Sequence, residues 1–474
     1  MDNCSRQRDG VGRRQAEPPR SPKRSRVGRR LAPARATREL SRSISLTQAV
    51  ALYSGAVIGA GVLILPGVGA GEAGPASLLA WALDGSLGIP ISLTFAALAA
   101  QYPDAGGVAT FAARAFGRAT STIVGWSYFS AAAIAQALVV LTGGHYAADA
   151  LGLDRRATFI LAAAMLGLAV AANLYGLHVT TRLQLFLAAA VVLVLISATL
   201  AAIPHMSAQA FTPFMPGGWS SVGSAAIKLF FAFFGWEAIT HLSSEFRDPA
   251  RDIPRATALT AALVTAIYVG VAFAVVATGT YGSEKLNRVA VAHVFGDTFG
   301  APAKWIVATA AVLITLGTAN AFVAATSRLG YALGRDRALP KILARLSGRG
   351  VPDVAILVVA AIAASGLVVA FVEGWGAEKF LVVPNSLVII VYIVAMAAGV
   401  RVLAGAARLV ALSAAALCMS ILPFAGISLV LPGGITLAAL LHTFLQSRRR
   451  RAATPVHRLR TSPADRPHGR GRHE

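Results

Sequence analysis

Two interrupted apolar segments contain the residues best suited to bind a small molecule. The first, GAVIGAGVLILP at Gly55–Pro66, has three glycines inside an apolar run. The second, FFAFFGWEAIT at Phe230–Thr240, has a glycine followed two residues later by Glu237. A break in a membrane helix frees backbone N–H and C=O groups, which must then contact protein or line a polar cavity. The two segments therefore predict broken helices around a buried site.

Such a pair of breaks has the chemistry to hold a zwitterion. Helix ends present N–H groups and the positive end of the helix dipole, which suit a carboxylate. Freed carbonyl oxygens suit an ammonium group, so an α-amino acid can use both and leave its side chain free. An alternative role for Gly55, Gly59 and Gly61 is close packing of small residues between helices.

Four ionisable side chains in apolar segments are candidates for coupling or gating, since such residues are commonly functional in membranes. Glu237 follows the second interruption, and His241 lies one helical turn later on the same face. A structural hydrogen bond is the alternative for Glu237, and ordinary packing is the alternative for His241. Asp84 and Lys228 are the other two, with extension toward the outer interface as their alternative.

Composition places these segments in a membrane. The chain has 474 residues, 56% of them hydrophobic and 14% charged, with a mean hydropathy of +0.64. Apolar runs of roughly 20 residues recur, long enough to cross a bilayer as helices. The formal net charge of +22 is concentrated in the tails, where 13 of the 43 Lys and Arg precede Ile44 and 9 follow Gln446. These basic tails are expected to be disordered and to contact anionic lipid, rather than to bind nucleic acid.

The predicted fold is an all-α polytopic membrane protein with about twelve transmembrane helices. Residues 1–43 form a basic tail, 44–400 a ten-helix transport core, 401–446 two accessory helices and 447–474 a second basic tail. The core divides into five-helix repeats at 44–203 and 221–400, each beginning with a broken helix, which predicts an inverted repeat. Fourteen loop Lys and Arg on one side against six on the other favour cytoplasmic termini.

Further motifs carry a resemblance to a known family. Besides the two interruptions, these are AGPA at Ala73–Ala76, QYPDAGG at Gln101–Gly107, the loop after the second interruption up to Ala256, and SRLGYALGRDRALP at Ser327–Pro340. In this order and spacing they resemble the amino acid–polyamine–organocation (APC) superfamily of permeases. Within it, the chain is most similar to the compact bacterial exporters of methionine and branched-chain amino acids. The resemblance implies the leucine-transporter type of fold, with helices one and six broken.

The resemblance also implies a substrate site at the breaks, which include Gly59 and Gly235. The amides of Ala60 and Gly61 would hold the substrate carboxylate. Carbonyls would hold its ammonium group, and the residues that supply them are Val57, Phe231 and Phe234. Phe231 also falls where the family often has a gating aromatic, whereas Ala60 replaces the usual small polar residue and leaves binding mainly to backbone.

The predicted pocket walls are apolar, which favours leucine, isoleucine, valine or methionine over a charged amino acid. Gln136 is one possible polar contact, with a helix–helix hydrogen bond as its alternative. The lysine that some proton-coupled members carry in span five is missing from Leu185–Leu200. Thr326 and Ser327 are weak candidates for sodium ligands, so the coupling ion stays open between proton and sodium.

These observations predict a secondary transporter of neutral amino acids in the plasma membrane, working by ion-coupled export or exchange. An importer of another amino acid or amine, and a transporter-like sensor, are the alternatives. No metalloprotease, nucleophile-elbow or P-loop motif is present, so an enzyme is not expected. No cofactor is expected, and the partners are the amino acid, the coupling ion and anionic lipid.

Overall fold

The computed structural model describes residues 46–102, 107–176, 181–237 and 248–453, and every regular element in these ranges is helical. The α-helices, in chain order, are α1 Leu46–Val57, α2 Leu65–Ala73, α3 Ser77–Gln101, α4 Gly107–Phe116, α5 Arg118–Leu151, α6 Arg155–Leu174, α7 Thr181–Ala202, α8 Gly218–Leu229, α9 Pro249–Ala277, α10 Glu284–Arg288, α11 Ala290–Phe299, α12 Ala301–Arg335, α13 Asp353–Val372, α14 Ala377–Val402, α15 Gly405–Ile421 and α16 Val430–Ala453. Short 3₁₀ turns connect several of them.

Eight helical stretches of the described chain are long and apolar enough to cross a membrane. They are Leu65–Gln101, Arg118–Leu151, Arg155–Leu174, Arg251–Ala277, Pro302–Arg335, Asp353–Val372, Phe380–Val402 and Gly405–Leu445. A helix satisfies all its backbone hydrogen bonds within itself, which is what a lipid environment demands. The chain is therefore a multi-pass membrane protein, as its composition predicts.

The count of eight differs from the predicted twelve for a physical reason. The helices beside the interruptions are short, since α1 and α8 have 12 residues each. Two of the eight stretches, of 37 and 41 residues, contain more than one helix joined through a bend. Twelve spans and the inverted repeat remain predictions.

The longest helices, α5 and α12, pack against each other through much of their length. The buried face of α5 is rich in alanine and glycine, which lets helix backbones approach closely. Helix α3 packs mainly against α9, α15 and α8, and α1 packs against α9. These contacts bring the two interrupted segments to the middle of the protein.

The sequence did not predict the short helices α4, α10 and α11, which lie between the longer ones. It also placed the end of the last span at Leu445, whereas α16 continues through the arginine run to Ala453. Arginine is a good helix former, so a helix that reaches this run can continue through it. The N-terminal tail 1–43 and residues 454–474 lie outside the described residues.

Candidate functional site

The first break lies between α1 and α2. Helix α1 ends at Val57, Ile58 and Gly59 are not helical, and a 3₁₀ turn over Ala60–Leu63 leads into α2. Gly59 has an extended backbone, which turns the chain between the two helices. The interruption predicted from the glycine pattern is confirmed, within the range Gly55–Pro66.

The second break follows α8. A 3₁₀ turn covers Phe230–Phe233, and Phe234–Glu237 form turns rather than helix. Gly235 has φ 128°, a conformation that L side chains rarely adopt, so glycine is required at this position. The chain is described again from Asp248, and His241 therefore lies outside the described residues.

Tyrosine hydroxyls hold the two breaks side by side. The hydroxyl of Tyr268, on α9, is 3.2 Å from both the carbonyl oxygen of Val57 and that of Ala232. The hydroxyl of Tyr53, on α1, donates to the carbonyl oxygen of Trp236 at 2.6 Å. Each bond satisfies a carbonyl that the interrupted helix has left without its usual partner. The structure thus brings together the two segments that the sequence singled out.

A small cavity lies where the breaks meet. It is lined by Val57, Gly59, Gly61, Val62, Val139, Phe231, Ala232, Phe234, Tyr268, Thr318 and Phe322. Its volume is about 20 Å³, room for a single water molecule, whereas ligand pockets typically measure about 300–1,000 Å³. The site is therefore closed in this conformation, and a larger ligand requires side chains to move.

The ring of Phe231 closes the cavity against the first break. A Cβ atom built on Gly61 would lie 2.8 Å from the Phe231 ring, which is closer than atoms normally approach. The ring of Phe234 stands edge-on to those of Phe231, Tyr128 and Phe322. Phe231 is thus positioned where an aromatic gate would be, directly over a glycine of the other break.

Glu237 anchors the second break. Its side chain is buried, and its carboxylate accepts hydrogen bonds from the hydroxyls of Tyr128 on α5 and Tyr392 on α14. It also accepts from the backbone N–H of Gly235 at 3.3 Å. These bonds tie the non-helical segment to two long helices, as the structural alternative for Glu237 requires, and its coupling or gating role stays a prediction.

Gln136 serves helix packing. Its Nε2 donates to the carbonyl oxygen of Ala319 at 3.0 Å, linking α5 to α12, and its side chain is fully buried. It is not among the residues that line the cavity. The structure therefore contains the helix–helix hydrogen bond of the alternative, and a substrate contact for Gln136 stays a prediction.

Lys228 and Asp84 differ sharply in their surroundings. Lys228 on α8 forms an ion pair with Glu72 on α2. The pair joins α2, which follows the first break, to α8, which precedes the second. Asp84 on α3 is fully buried, and neither carboxylate oxygen has a hydrogen-bond partner among the described residues. The interpretation that Asp84 extends to the outer interface is wrong, because apolar packing surrounds it.

The weak sodium candidates are both buried near the end of α12. The Ser327 hydroxyl donates to the carbonyl oxygen of Ala324 in its own helix. Neither Thr326 nor Ser327 lines the cavity. Within the described ranges, no group of three His, Cys, Asp or Glu side chains is placed to hold a metal ion.

A larger groove lies away from the breaks. It measures about 580 Å³ between α6 and α13, and its lining is apolar except for Arg156. Ile160 and Val368 in its walls are 68% and 60% exposed, so the groove opens sideways on an outer surface that is apolar. It contains no residue of either break, and the smaller cavity is therefore the better candidate for the substrate site.

The functional residues that sequence reasoning missed are mainly tyrosines: Tyr53, Tyr128, Tyr146, Tyr268 and Tyr392. All five contact a break or its anchor through the hydroxyl. A signal was present, since a tyrosine within an apolar span needs a partner for its hydroxyl. The sequence could not say which partner each would find.

Comparison with known proteins decides the family. The amino acid permease family profile matches residues 44–431, most of the chain, including both breaks and the cavity lining. The chain belongs to the amino acid permease family. This family is part of the APC superfamily, so the resemblance seen in the motifs is confirmed and the chain is an amino acid transport protein.

Two relatives match this permease over nearly their whole length, and a third matches it over two thirds of its own length. The uncharacterized amino acid permease YecA of Bacillus subtilis (strain 168) is 32% identical over 404 residues, covering 84% of this chain and 95% of YecA. The L-methionine/branched-chain amino acid exporter YjeH of Escherichia coli (strain K12) is 28% identical, covering 82% and 92%. The b(0,+)-type amino acid transporter 1 of Oryctolagus cuniculus is 28% identical, covering 66% and 67%.

Proposed function

We propose that this permease moves neutral, apolar amino acids, the branched-chain amino acids and methionine, across the plasma membrane by ion-coupled export or exchange. Its similarity to an exporter of methionine and branched-chain amino acids supports this substrate class. The single observation that carries the proposal is the chemistry of the cavity where the two breaks meet.

The cavity lining has no charged side chain among the described residues. Aliphatic and aromatic groups cover most of its surface, and the polar side-chain groups are the hydroxyls of Tyr268 and Thr318. A charged substrate side chain would lose its hydration there without gaining a partner, which is costly in a buried site. A leucine or methionine side chain would instead gain from leaving water.

The backbone of the breaks would bind the common part of every α-amino acid. Ala60 and Gly61 are the first residues of the turn that leads into α2, and the first N–H groups of a helix have no partner inside it. These amides would hold the carboxylate. The carbonyls of Val57, Phe231 and Phe234 would hold the ammonium group, and Phe231 would swing away from Gly61 to admit the substrate.

Transport would proceed by alternating access around this site. The working scheme is a ten-helix core at 44–400, built of inverted repeats, with two accessory helices at 401–446. Breaks at the start of both halves support it, because the chain can hinge where helical hydrogen bonds are interrupted. Both termini would be cytoplasmic, with the basic tails on anionic lipid. Glu237 would keep the second break bound to α5 and α14 during the motion.

Purified permease in liposomes tests the proposal. Vesicles loaded with radiolabelled leucine or methionine should release label in a saturable way, and unlabelled leucine, isoleucine, valine and methionine should compete. Arginine and glutamate should not compete, because the cavity offers no counter-charge. Competition by arginine or by a simple amine would favour a carrier of another substrate. Binding of leucine without any movement of label would favour a sensor.

A further inference from the structure

The buried acid on α3 is the starting point. Asp84 lies seven residues after Ser77, about 10 Å along the helix from its first residue. Its side chain is 0% exposed, and neither oxygen has a hydrogen-bond partner within the described part of the chain. An ionised carboxylate in such a place would lack both water and a counter-charge, so the neutral acid is the stable form.

Asp84 shares one face of α3 with two other polar residues, Ser77 and Trp81, and the three are called the polar row here. Ser77, Trp81 and Asp84 are spaced four and three residues apart, which places them on one face of α3. All three are 0% exposed, and the Ser77 hydroxyl and the Trp81 indole nitrogen also have no hydrogen-bond partner among the described residues. Buried polar groups normally find a protein or water partner, so three unpaired groups on one helix face offer hydrogen-bonding positions to water. The row leads from the first residue of α3 to the acid.

Within the described ranges, neither oxygen of Asp84 has a charged partner. The titratable groups on the helices packed against α3 are either bonded elsewhere or lie near helix ends, with the exception of the Cys418 thiol on α15, which is close enough to interact electrostatically with Asp84. The bonded groups are Tyr268, Lys228, Glu72 and Tyr392, and the groups near helix ends are Arg251, Asp252, Arg255, Glu378, Lys379, Arg401 and Arg408.

The same row contacts the substrate cavity. The ring of Trp81 packs against that of Tyr268, with 5.5 Å between centroids. Tyr268 in turn bonds to the carbonyls of Val57 and Ala232, one in each broken segment. A change in the position of α3 therefore reaches both breaks through a single tyrosine.

We propose that Asp84 is the proton-binding site that couples this permease to the proton gradient. The acid carries its proton in the closed conformation described here and ionises when the polar row on α3 opens to water. The proton enters through water that reaches Asp84 along this face, where the Ser77 hydroxyl and the Trp81 N–H can hydrogen-bond to that water, and it leaves through water on the opposite side as the breaks change conformation. Trp81 and Tyr268 transmit the change. The coupling role rests on the proposed function, whereas the protonation state of Asp84 does not.

The other acids near the breaks are already committed to partners. Glu237 accepts hydrogen bonds from two tyrosines and a backbone amide, and Glu72 is paired with Lys228. Removing a proton from Asp84 changes an unsolvated acid into an unsolvated anion, so its ionisation demands a rearrangement of the helices around it. A coupling site needs this link between ionisation and helix rearrangement, because the conformation of the protein then depends on whether the proton is bound.

The transport test compares Asp84→Asn with Asp154→Asn in liposomes that contain a pH-sensitive dye. Asp154 is exposed and accepts a hydrogen bond from Ala157 N at the start of α6, a capping role that asparagine also fills. In Asp84→Asn, proton-driven leucine movement should fall about tenfold or more, while exchange of labelled for unlabelled leucine persists. Proton-driven movement equal to that of Asp154→Asn would overturn the proposal.

Infrared spectroscopy tests the protonation state without any transport. Protein labelled with ¹³C-aspartate should show an isotope-sensitive band of a protonated carboxyl group in the membrane, and Asp84→Asn should lack it. In Asp84→Glu the protonated carboxyl belongs to an unlabelled glutamate, so its band should no longer shift with the ¹³C-aspartate label. This variant serves if the asparagine variant does not fold. A spectrum without this band would overturn the proposal. A permease that moves no amino acid but shows the band would refute the proposed function and the coupling role that rests on it, while the protonation state of Asp84 would stand.

Discussion

The two breaks lie on the same cavity, but different chemistry holds each of them open. At the first break, neutral hydroxyls from other helices reach inward, since Tyr268 donates to Val57 O and Tyr146 donates to Leu63 O. At the second break, Tyr268 and Tyr53 likewise contact the carbonyl oxygens of Ala232 and Trp236. The segment also supplies an acceptor of its own, the carboxylate of Glu237, which Tyr128 and Tyr392 contact. The first break is held through backbone carbonyls and neutral donors, whereas the position of the second break also depends on an ionisable side chain.

The difference suggests a division of labour. A site made of glycine and backbone carbonyls, bound by neutral donors, keeps its shape over a wide range of pH and suits recognition. Hydrogen bonds to a charged group are stronger, about 1.5–3 kcal/mol against about 0.5–1.5 for neutral pairs, but they respond to the charge of that group. The second break is therefore held to α5 and α14 by the stronger hydrogen bonds, and its position depends on Glu237. Three substitutions separate the two roles.

The largest effect is expected at the first break, from Gly61→Leu. The new side chain would occupy the space of the Phe231 ring, since even a Cβ atom would lie 2.8 Å from it. Overpacking of this kind costs about 1–3 kcal/mol, or roughly five- to 150-fold in leucine affinity. Equilibrium binding of radiolabelled leucine measures it, with thermal unfolding in detergent to show that the variant folds.

The matched control is Gly167→Leu on α6, where no atom lies within 4 Å of an added Cβ. It should bind leucine as the unaltered protein does. Normal leucine binding by Gly61→Leu would remove the first break from the substrate site.

An intermediate effect is expected at the second break, from Glu237→Gln. The amide keeps the size of the side chain but loses the charge that strengthens its bonds to Tyr128 and Tyr392, about 1 kcal/mol. We expect the transport rate to fall about fivefold, while equilibrium binding of leucine stays within about twofold. Transport rates measured in liposomes, together with equilibrium binding of leucine, separate the effect on transport from the effect on binding.

Glu284→Gln is the control, because Glu284 is exposed and pairs with Arg288 one turn away on α10. Such surface pairs contribute little, so no change is expected. If Glu237→Gln weakens binding and rate equally, then Glu237 belongs to the recognition surface and the division of labour is wrong.

The smallest effect is expected from Tyr146→Phe, which removes one neutral donor from the first break. The carbonyl oxygen of Leu63, 2.7 Å from the hydroxyl, would lose its tyrosine partner. The loss should be about 1 kcal/mol of stability, seen as a lower thermal unfolding midpoint, with transport retained and its pH profile unchanged. Tyr175→Phe, at an exposed position on the surface, should leave the midpoint unaltered. A changed pH profile in Tyr146→Phe would show that the first break is not the neutral one.

The sequence predicts the breaks well because their causes are local. Glycines within an apolar run at Gly55–Pro66, and a glycine and an acid after Phe234, weaken a helix wherever it packs. The breaks accordingly lie inside the predicted segments. Helix positions are likewise predicted by continuous apolar runs, since lipid permits few other backbone conformations.

The partners of the breaks could not be predicted, because they depend on how distant helices are rotated. Tyr128 and Glu237 are 109 residues apart, and Tyr392 is 155 residues from Glu237. The orientation of Asp84 was missed for a similar reason. Helix α3 is apolar on nearly every side, so its sequence does not reveal which face meets α15 and which meets lipid.

In the proposed substrate site, the contact between Phe231 and Gly61 would make the aromatic ring a tethered competitor of the substrate. The ring and the ligand would need the same surface, and the ring is always present at high effective concentration because it belongs to the chain. The measured binding free energy would therefore be that of the substrate contacts less the free energy needed to move the ring away from Gly61. A ligand whose side chain packs against the displaced ring would recover part of that free energy. The permease could then select its substrate through contacts between the substrate side chain and the displaced ring.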